Sequence, residues 1–169
     1  MGAVTPPDYC EGMKRMRRVR LIAAVGVAAL ALAGCTSAPT LDSSAASTKY
    51  SPFLDEVVST LAAKYPEVEW TSDDENAVQP KGDGCRLWLP TQTSTTSLLE
   101  AAGDWRAVMD TLNPLLEKNE FSLIDDTEEL SGPGSAIGTT DGNGARLLIG
   151  DLSPTSITLE VPVTDDDCD

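Results

Sequence analysis

The side chains able to do covalent or acid–base chemistry are few, and their types exclude more than they suggest. The chain contains no histidine. That removes Ser-His-Asp and Cys-His nucleophile pairs and most catalytic metal sites. The carboxylate pairs Asp73/Asp74 and Glu128/Glu129 could serve acid–base work in principle. They lie in polar runs, where a solvated surface is the ordinary outcome. Gly132-Pro133-Gly134 and Gly142/Gly144 lack the strand–helix setting of a phosphate loop and read as turns. Asp141-Gly142-Asn143-Gly144 has the opening of a calcium loop, but its twelfth position is Leu152 and not a bidentate Glu, so an EF-hand is rejected. Trp70 and Trp105 fit core packing, and Trp88 is left open between packing and a pocket. No catalytic, metal or cofactor site is predicted.

One cysteine does sit in a reactive setting. Lys14, Arg15, Arg17, Arg18 and Arg20 precede Leu21–Ala33, thirteen residues without charge or polar side chain. A membrane span needs roughly 20 residues, so this run fits the apolar core of an export signal. Leu32-Ala33-Gly34-Cys35 then resembles the bacterial lipobox, in which a diacylglyceryl group joins the cysteine thiol and a peptidase cuts before it. The expectation is a signal peptide over 1–34, cleavage between Gly34 and Cys35, and lipid on Cys35. The weaker alternatives are an ordinary signal with a chance cysteine, or an uncleaved anchor. Met13 or Met16 could be the true start, which leaves Cys10 untranslated or removed. More than one acyl chain holds a protein firmly to a bilayer. The predicted location is therefore the extracytoplasmic face of the cell membrane.

Charge narrows the partners. The chain has 12 basic and 27 acidic residues, and residues 1–34 hold five and two of them. The part from Cys35 onward is thus 7 against 25, a net charge of −18. Such a surface repels nucleic acid and anionic headgroups. Solubility is the plain reading of this acidity, and affinity for cations or a basic partner the sharper one. Cys85 and Cys168, an even pair in an exported domain, read as a disulfide closing a loop of about 84 residues. Two free thiols are the alternative, and two cysteines without histidine make a poor zinc site.

The elements that must position these residues follow from periodicity. Residues 35–49, the anchored cysteine and the Ser/Thr-rich stretch after it, read as a flexible tether, and 50–169 as a single domain. Ser51-Pro52 predicts a helix start with Leu54, Val57, Val58, Leu61 and Tyr65 on one face, ended by Pro66. Glu67–Thr71 alternates as a strand, and the polar residues after it read as a connection. Cys85–Leu89 is the next strand, with Arg86 and Trp88 opposite the cysteine face. Ser97 and Asp104 are rival caps for a helix at about 104–118, which Pro114 should kink or shorten. Phe121–Ile124 is a short strand candidate, 127–140 a loop, Asp141–Gly144 a turn, Ala145–Gly150 a strand, and Ile157–Val163 the cleanest strand. The predicted class is α+β: a two-layer, mainly antiparallel sheet covered on one face by two helices, in the order αββαβββ.

Gly84-Cys85-Arg86-Leu87-Trp88, Asp104-Trp105, Phe121, Asp141-Gly142 and Val161-Pro162-Val163-Thr164 before Cys168, behind a lipobox and Ser/Thr tether, resemble small actinobacterial lipoproteins of the LppA-like type. The resemblance implies a membrane-tethered, disulfide-linked α+β domain and no activity. The function expected is that of a membrane-anchored envelope lipoprotein, a binding or interaction module for an unidentified envelope protein or small ligand. A carrier of lipid or glycolipid, which needs a large apolar cavity, is the alternative, and an enzyme is disfavoured.

Overall fold

The computed structural model describes residues 41–73, 75–82, 84–130, 134–165 and 168. Met1 to Thr40, including Cys10, the Lys14–Ala33 segment, Gly34 and Cys35, lie outside the described residues, as do Asp74, Gly132 and Pro133.

Helix α1 spans Ser43–Lys64. It starts well before Ser51 because Asp42 caps it, accepting a hydrogen bond from the Ala45 N–H at 2.7 Å, and because Ala46 and Tyr50 extend the buried stripe of Phe53, Leu54, Val57 and Leu61 by one more turn. Pro52 is accommodated inside the helix on its exposed side. Proline there deletes one helical hydrogen bond, and the added apolar burial offsets it. Residues 43–49, read from sequence as tether, are therefore folded, and five residues separate Cys35 from Leu41.

Strands β1 (Trp70–Ser72), β2 (Ala77–Lys81), β3 (Gly84–Trp88) and β4 (Gln92–Ser94) follow, then helices α2 (Leu98–Ala102) and α3 (Trp105–Lys118), then β5 (Glu128–Glu129), β6 (Ser135–Thr140), β7 (Arg146–Asp151) and β8 (Thr155–Val163). The fold is α+β, with helices packed on an antiparallel sheet. Both rival caps are used. Ser97 accepts from the Glu100 N–H at the start of α2, and Asp104 from the Ala107 N–H at the start of α3. Gly103, at φ 85°, makes the turn between them. Pro114 does not shorten α3, which runs on to Lys118.

The sheet order is β1-β4-β8-β7-β6-β5, with the β2–β3 hairpin beside the second half of β8. Strand β8 is nine residues long, enough to pair along one side with β4 through Ser156 and Ile157 and with β3 through Glu160–Val163. Strands β2 and β6 fall where the sequence suggested a connection and a loop, because their partners and not their own alternation define them. Phe121–Ile124 is not a strand. Only Phe121 makes an isolated bridge, to Asp141, and Ile124 is held instead by both ends of the Asn113 side chain.

One face of the sheet carries Leu87, Ile137, Leu147, Ile149, Ile157, Leu159 and Val161, all buried beneath the helices. Each such side chain contributes about 1.5–3 kcal/mol by leaving water. Phe121 closes the end of this core, stacked on Phe53 at 4.4 Å between ring centroids. Among the described residues no helix is long and apolar enough to cross a membrane.

Candidate binding face

A strand points successive side chains to opposite faces, so the core residues of β3, β7 and β8 send Arg86, Trp88, Arg146, Leu148, Thr158, Glu160 and Pro162 to the outer face. Register then decides which of these meet. Trp88 lies opposite Glu160 on one side of β8, and Arg146 opposite Glu160 on the other. Lys81, from the end of β2, reaches back over this row. Its ammonium lies 2.5 Å from the Glu160 carboxylate and 5.1 Å from the centre of the Trp88 indole. Arg146 donates to Glu128 of β5 at 2.6 Å. Glu128 can lie there because Gly138 beneath it has no side chain; a Cβ would collide with the Glu128 carboxylate.

Between these groups is a recess of about 70 Å³ lined by Lys81, Trp88, Arg146, Leu148, Thr158 and Glu160. Glu160 is buried while the Lys81 side chain is about half exposed. A carboxylate withdrawn from water needs such a partner, since an uncompensated buried charge is strongly destabilising. Three of the seven basic residues after Cys35, namely Lys81, Arg86 and Arg146, share this face with Glu128 and Glu160. Arg86 donates to the Gly144 carbonyl at 3.4 Å and has no carboxylate partner among the described residues.

The turn at Asp141–Gly144 holds a different arrangement. Asp141 is buried and accepts from the Tyr50 hydroxyl at 2.5 Å, from the Asn143 side chain at 3.0 Å, and from the backbone N–H groups of Asn143 and Ala145 at 2.8 and 2.9 Å. Lys49 stands 3.7 Å away. Burial alone would push the Asp141 carboxyl up, but the Tyr50 hydroxyl, the Asn143 amide and the two backbone donors outweigh it and hold the carboxyl below the ordinary carboxylate range. Burial, then the hydrogen bond to the Asp141 charge, raises Tyr50 far above a free phenol. With this many donors on one carboxylate, the site locks α1 to the β6–β7 hairpin and has no lone pair to spare for chemistry.

A second polar knot ties α2 to the β7–β8 turn. Asp151 accepts from Ser97 at 2.7 Å and from Thr155 at 2.6 Å, and Thr155 in turn accepts from the Leu98 N–H. A shallow trough of about 410 Å³ lies between the first turns of α1 and the β2–β3 hairpin, lined by Ser43, Ser44, Ser47, Thr48, Asn76, Val78 and Leu87.

Cys85 and Cys168 form a disulfide with their Cα atoms 5.6 Å apart. It lies at the end of the sheet where Leu41 bridges Val163 and where the Ser43 N–H and hydroxyl both donate to Asp165. Trp105 is buried and its indole N–H donates to Ser135 at 2.6 Å. Trp70 is half-buried against the core, and Trp88 faces outward. Of the carboxylate pairs, Asp73 is exposed and Glu128 is bound to Arg146. Among the described residues no three His, Cys, Asp or Glu side chains come together to hold a metal. Sequence reasoning singled out neither Glu160 nor Arg146. Alternation places Glu160 on the polar face of its strand, but only the pairing of β7 with β8 puts Arg146 beside it.

No protein-family model matches the chain, and no curated protein matches it. Among solved structures, a crystal structure of a DUF4853 family protein from Actinomyces odontolyticus ATCC 17982 is similar at 13% identity and a TM-score of 0.44, over 72% of this chain and 69% of that one.

Proposed function

We propose that this chain is a lipid-anchored envelope lipoprotein whose folded domain is a binding module, held at the extracytoplasmic face of the membrane by acyl chains on Cys35. The single observation that carries this reading is the order of features up to Cys35: five basic residues, thirteen apolar ones ending at Ala33, then Gly34-Cys35. The resemblance to LppA-like lipoproteins supports it, and so does the Cys85–Cys168 disulfide, a bond that persists in oxidising compartments.

Binding is favoured over catalysis because the buried carboxylate with a displaced acidity, Asp141, is saturated with donors. A carrier of lipid or glycolipid is the second reading. It is less well supported, because the trough beside α1 is lined mainly by hydroxyls, with Val78 and Leu87 its apolar members. The five residues between Cys35 and Leu41 also extend no further than about 20 Å, so a tethered domain works at the membrane surface.

Replacing Cys35 by Ala tests the anchor. The variant is expected in soluble fractions while the parent stays with membranes, and a variant that stays membrane-bound after a carbonate wash overturns the reading.

A further inference from the structure

The recess on the outer face brings hydrogen-bond donors, acceptors and an apolar wall together. Lys81 and Glu160 supply a donor and an acceptor that already balance each other. Arg146 and Thr158 add more donors and one more acceptor, and Trp88 and Leu148 supply an apolar wall. A guanidinium has five N–H donors and an ammonium three, and few of those on Lys81 and Arg146 meet an acceptor among the described residues.

Charge decides what fits such a site. An anionic ligand would compete with Glu160 for Lys81 and approach against a domain of net charge −18. A cationic ligand would face Lys81, Arg86 and Arg146. A neutral ligand carrying donors and acceptors side by side can bond Glu160, Arg146 and Thr158 without breaking the Lys81–Glu160 pair. Adjacent ring hydroxyls of a sugar have that character, and the C–H edge of the same ring matches the indole, over which Lys81 lies, and the Leu148 side chain. At about 70 Å³ the recess holds roughly two waters' worth of volume. It accepts two hydroxyls of a pyranose edge and leaves the rest of the ring and its neighbours outside, as binding along a chain requires.

We propose that the outer sheet face binds a neutral polysaccharide, seating the vicinal hydroxyls of one sugar between Glu160, Arg146 and Thr158 with the ring edge against Trp88. This deepens the binding-module reading and is independent of the lipid anchor.

The test is an NMR titration of the purified, isotopically labelled lipidated protein in phosphocholine micelles, following the three indole N–H signals. The probes are maltotriose, mannotriose and chitotriose, with polygalacturonate and polyglutamate as anionic comparators. At least one neutral trisaccharide is expected to move the Trp88 signal by ~10 mM, as a shallow site of this size implies, while Trp70 and Trp105 stay fixed. Glu160→Gln and Thr158→Val should each weaken that response, the first roughly tenfold or more because it removes a charged acceptor. Thr158→Val leaves the Lys81–Glu160 pair intact, and the unmoved Trp70 and Trp105 signals report that either variant is folded. No response of Trp88 to any neutral probe overturns the proposal. A response to polyglutamate alone overturns it while leaving a peptide-binding module standing, and a response that both variants leave unchanged places the sugar elsewhere and also overturns it.

Discussion

Replacing Tyr50 by Phe removes one oxygen from the protein interior and tests the lock between α1 and the β6–β7 hairpin. Tyr50 is 1% exposed and its ring packs edge-on against Phe121, 6.4 Å between centroids, so Phe keeps the packing. What is lost is the hydrogen bond to the Asp141 charge, worth about 1.5–3 kcal/mol for a charged acceptor, together with the longer one that the hydroxyl accepts from the Asn143 side chain at 3.3 Å. For a domain of this size that lowers Tm by roughly 5–12 °C. Asp141→Asn in the same background should then cost less than it does alone, because the two changes act on one bond. The expected coupling is about 1–2 kcal/mol. The pH dependence has a definite sign. The native state holds Asp141 ionised below its ordinary value of 3.8, so the unfolded chain binds the proton first, and stability falls as pH drops below about 4. The native state holds Tyr50 protonated above its ordinary value of 10.0, so stability also falls as pH rises above about 10. Tyr50→Phe should flatten both limbs. Thermal melts at pH 3, 7 and 11 on the four proteins of the cycle provide the assay. A coupling near zero, or an unchanged acid limb in Tyr50→Phe, would refute the assignment of the Asp141 shift to this hydroxyl.

Other outcomes follow from the same geometry. Reducing the disulfide, or changing Cys168 to Ser, reopens a loop of 83 residues and should cost on the order of 4 kcal/mol by the chain-entropy model; denaturant melts with and without reductant measure it, and a loss under about 1 kcal/mol would contradict it. Trp105→Phe gives up the bond to Ser135 at 2.6 Å and should lose about 1 kcal/mol beyond packing, a difference that vanishes in a Ser135→Ala background. Gly138→Ala should push Glu128 off Arg146 yet change stability by less than about 1 kcal/mol, because both groups are well exposed; a larger loss would mean the backbone itself cannot take a Cβ there.

The parts legible in the sequence were those fixed by local chemistry. Trp105, Val108, Met109, Leu112 and Leu116 declare α3 by spacing alone, and all are buried. The alternation of Ile157, Leu159, Val161 and Val163 declares β8. What stayed hidden depends on partners far along the chain. Ser43–Lys49 has the composition of a linker and becomes helix because Asp42 caps it and Asp165, 122 residues away from Ser43, receives it. Ala77–Lys81 contains a proline and a lysine and forms a strand because Val78 and Gln79 find Leu87 and Arg86; proline and lysine suit an edge strand, where they discourage further pairing. Ala136 and Ile137 are surrounded by glycine, serine and threonine, and only pairing with Gly150 and Ile149 makes their strand visible. The same holds for the outer recess. Trp88 could be placed opposite the cysteine face from one strand, whereas Lys81, Glu160 and Arg146 reach the recess from three others. Asp141 was read as a turn residue, which it is, but nothing local announced the tyrosine 91 positions earlier that makes it a lock.

The claim on which the functional account rests is the chemistry at Cys35, and intact mass spectrometry of the protein extracted from its own membranes tests it most directly. The expected species is a chain beginning at Cys35 with a diacylglyceryl thioether on that residue. A chain that begins elsewhere, or one that carries Cys35 as an unmodified thiol, would contradict it.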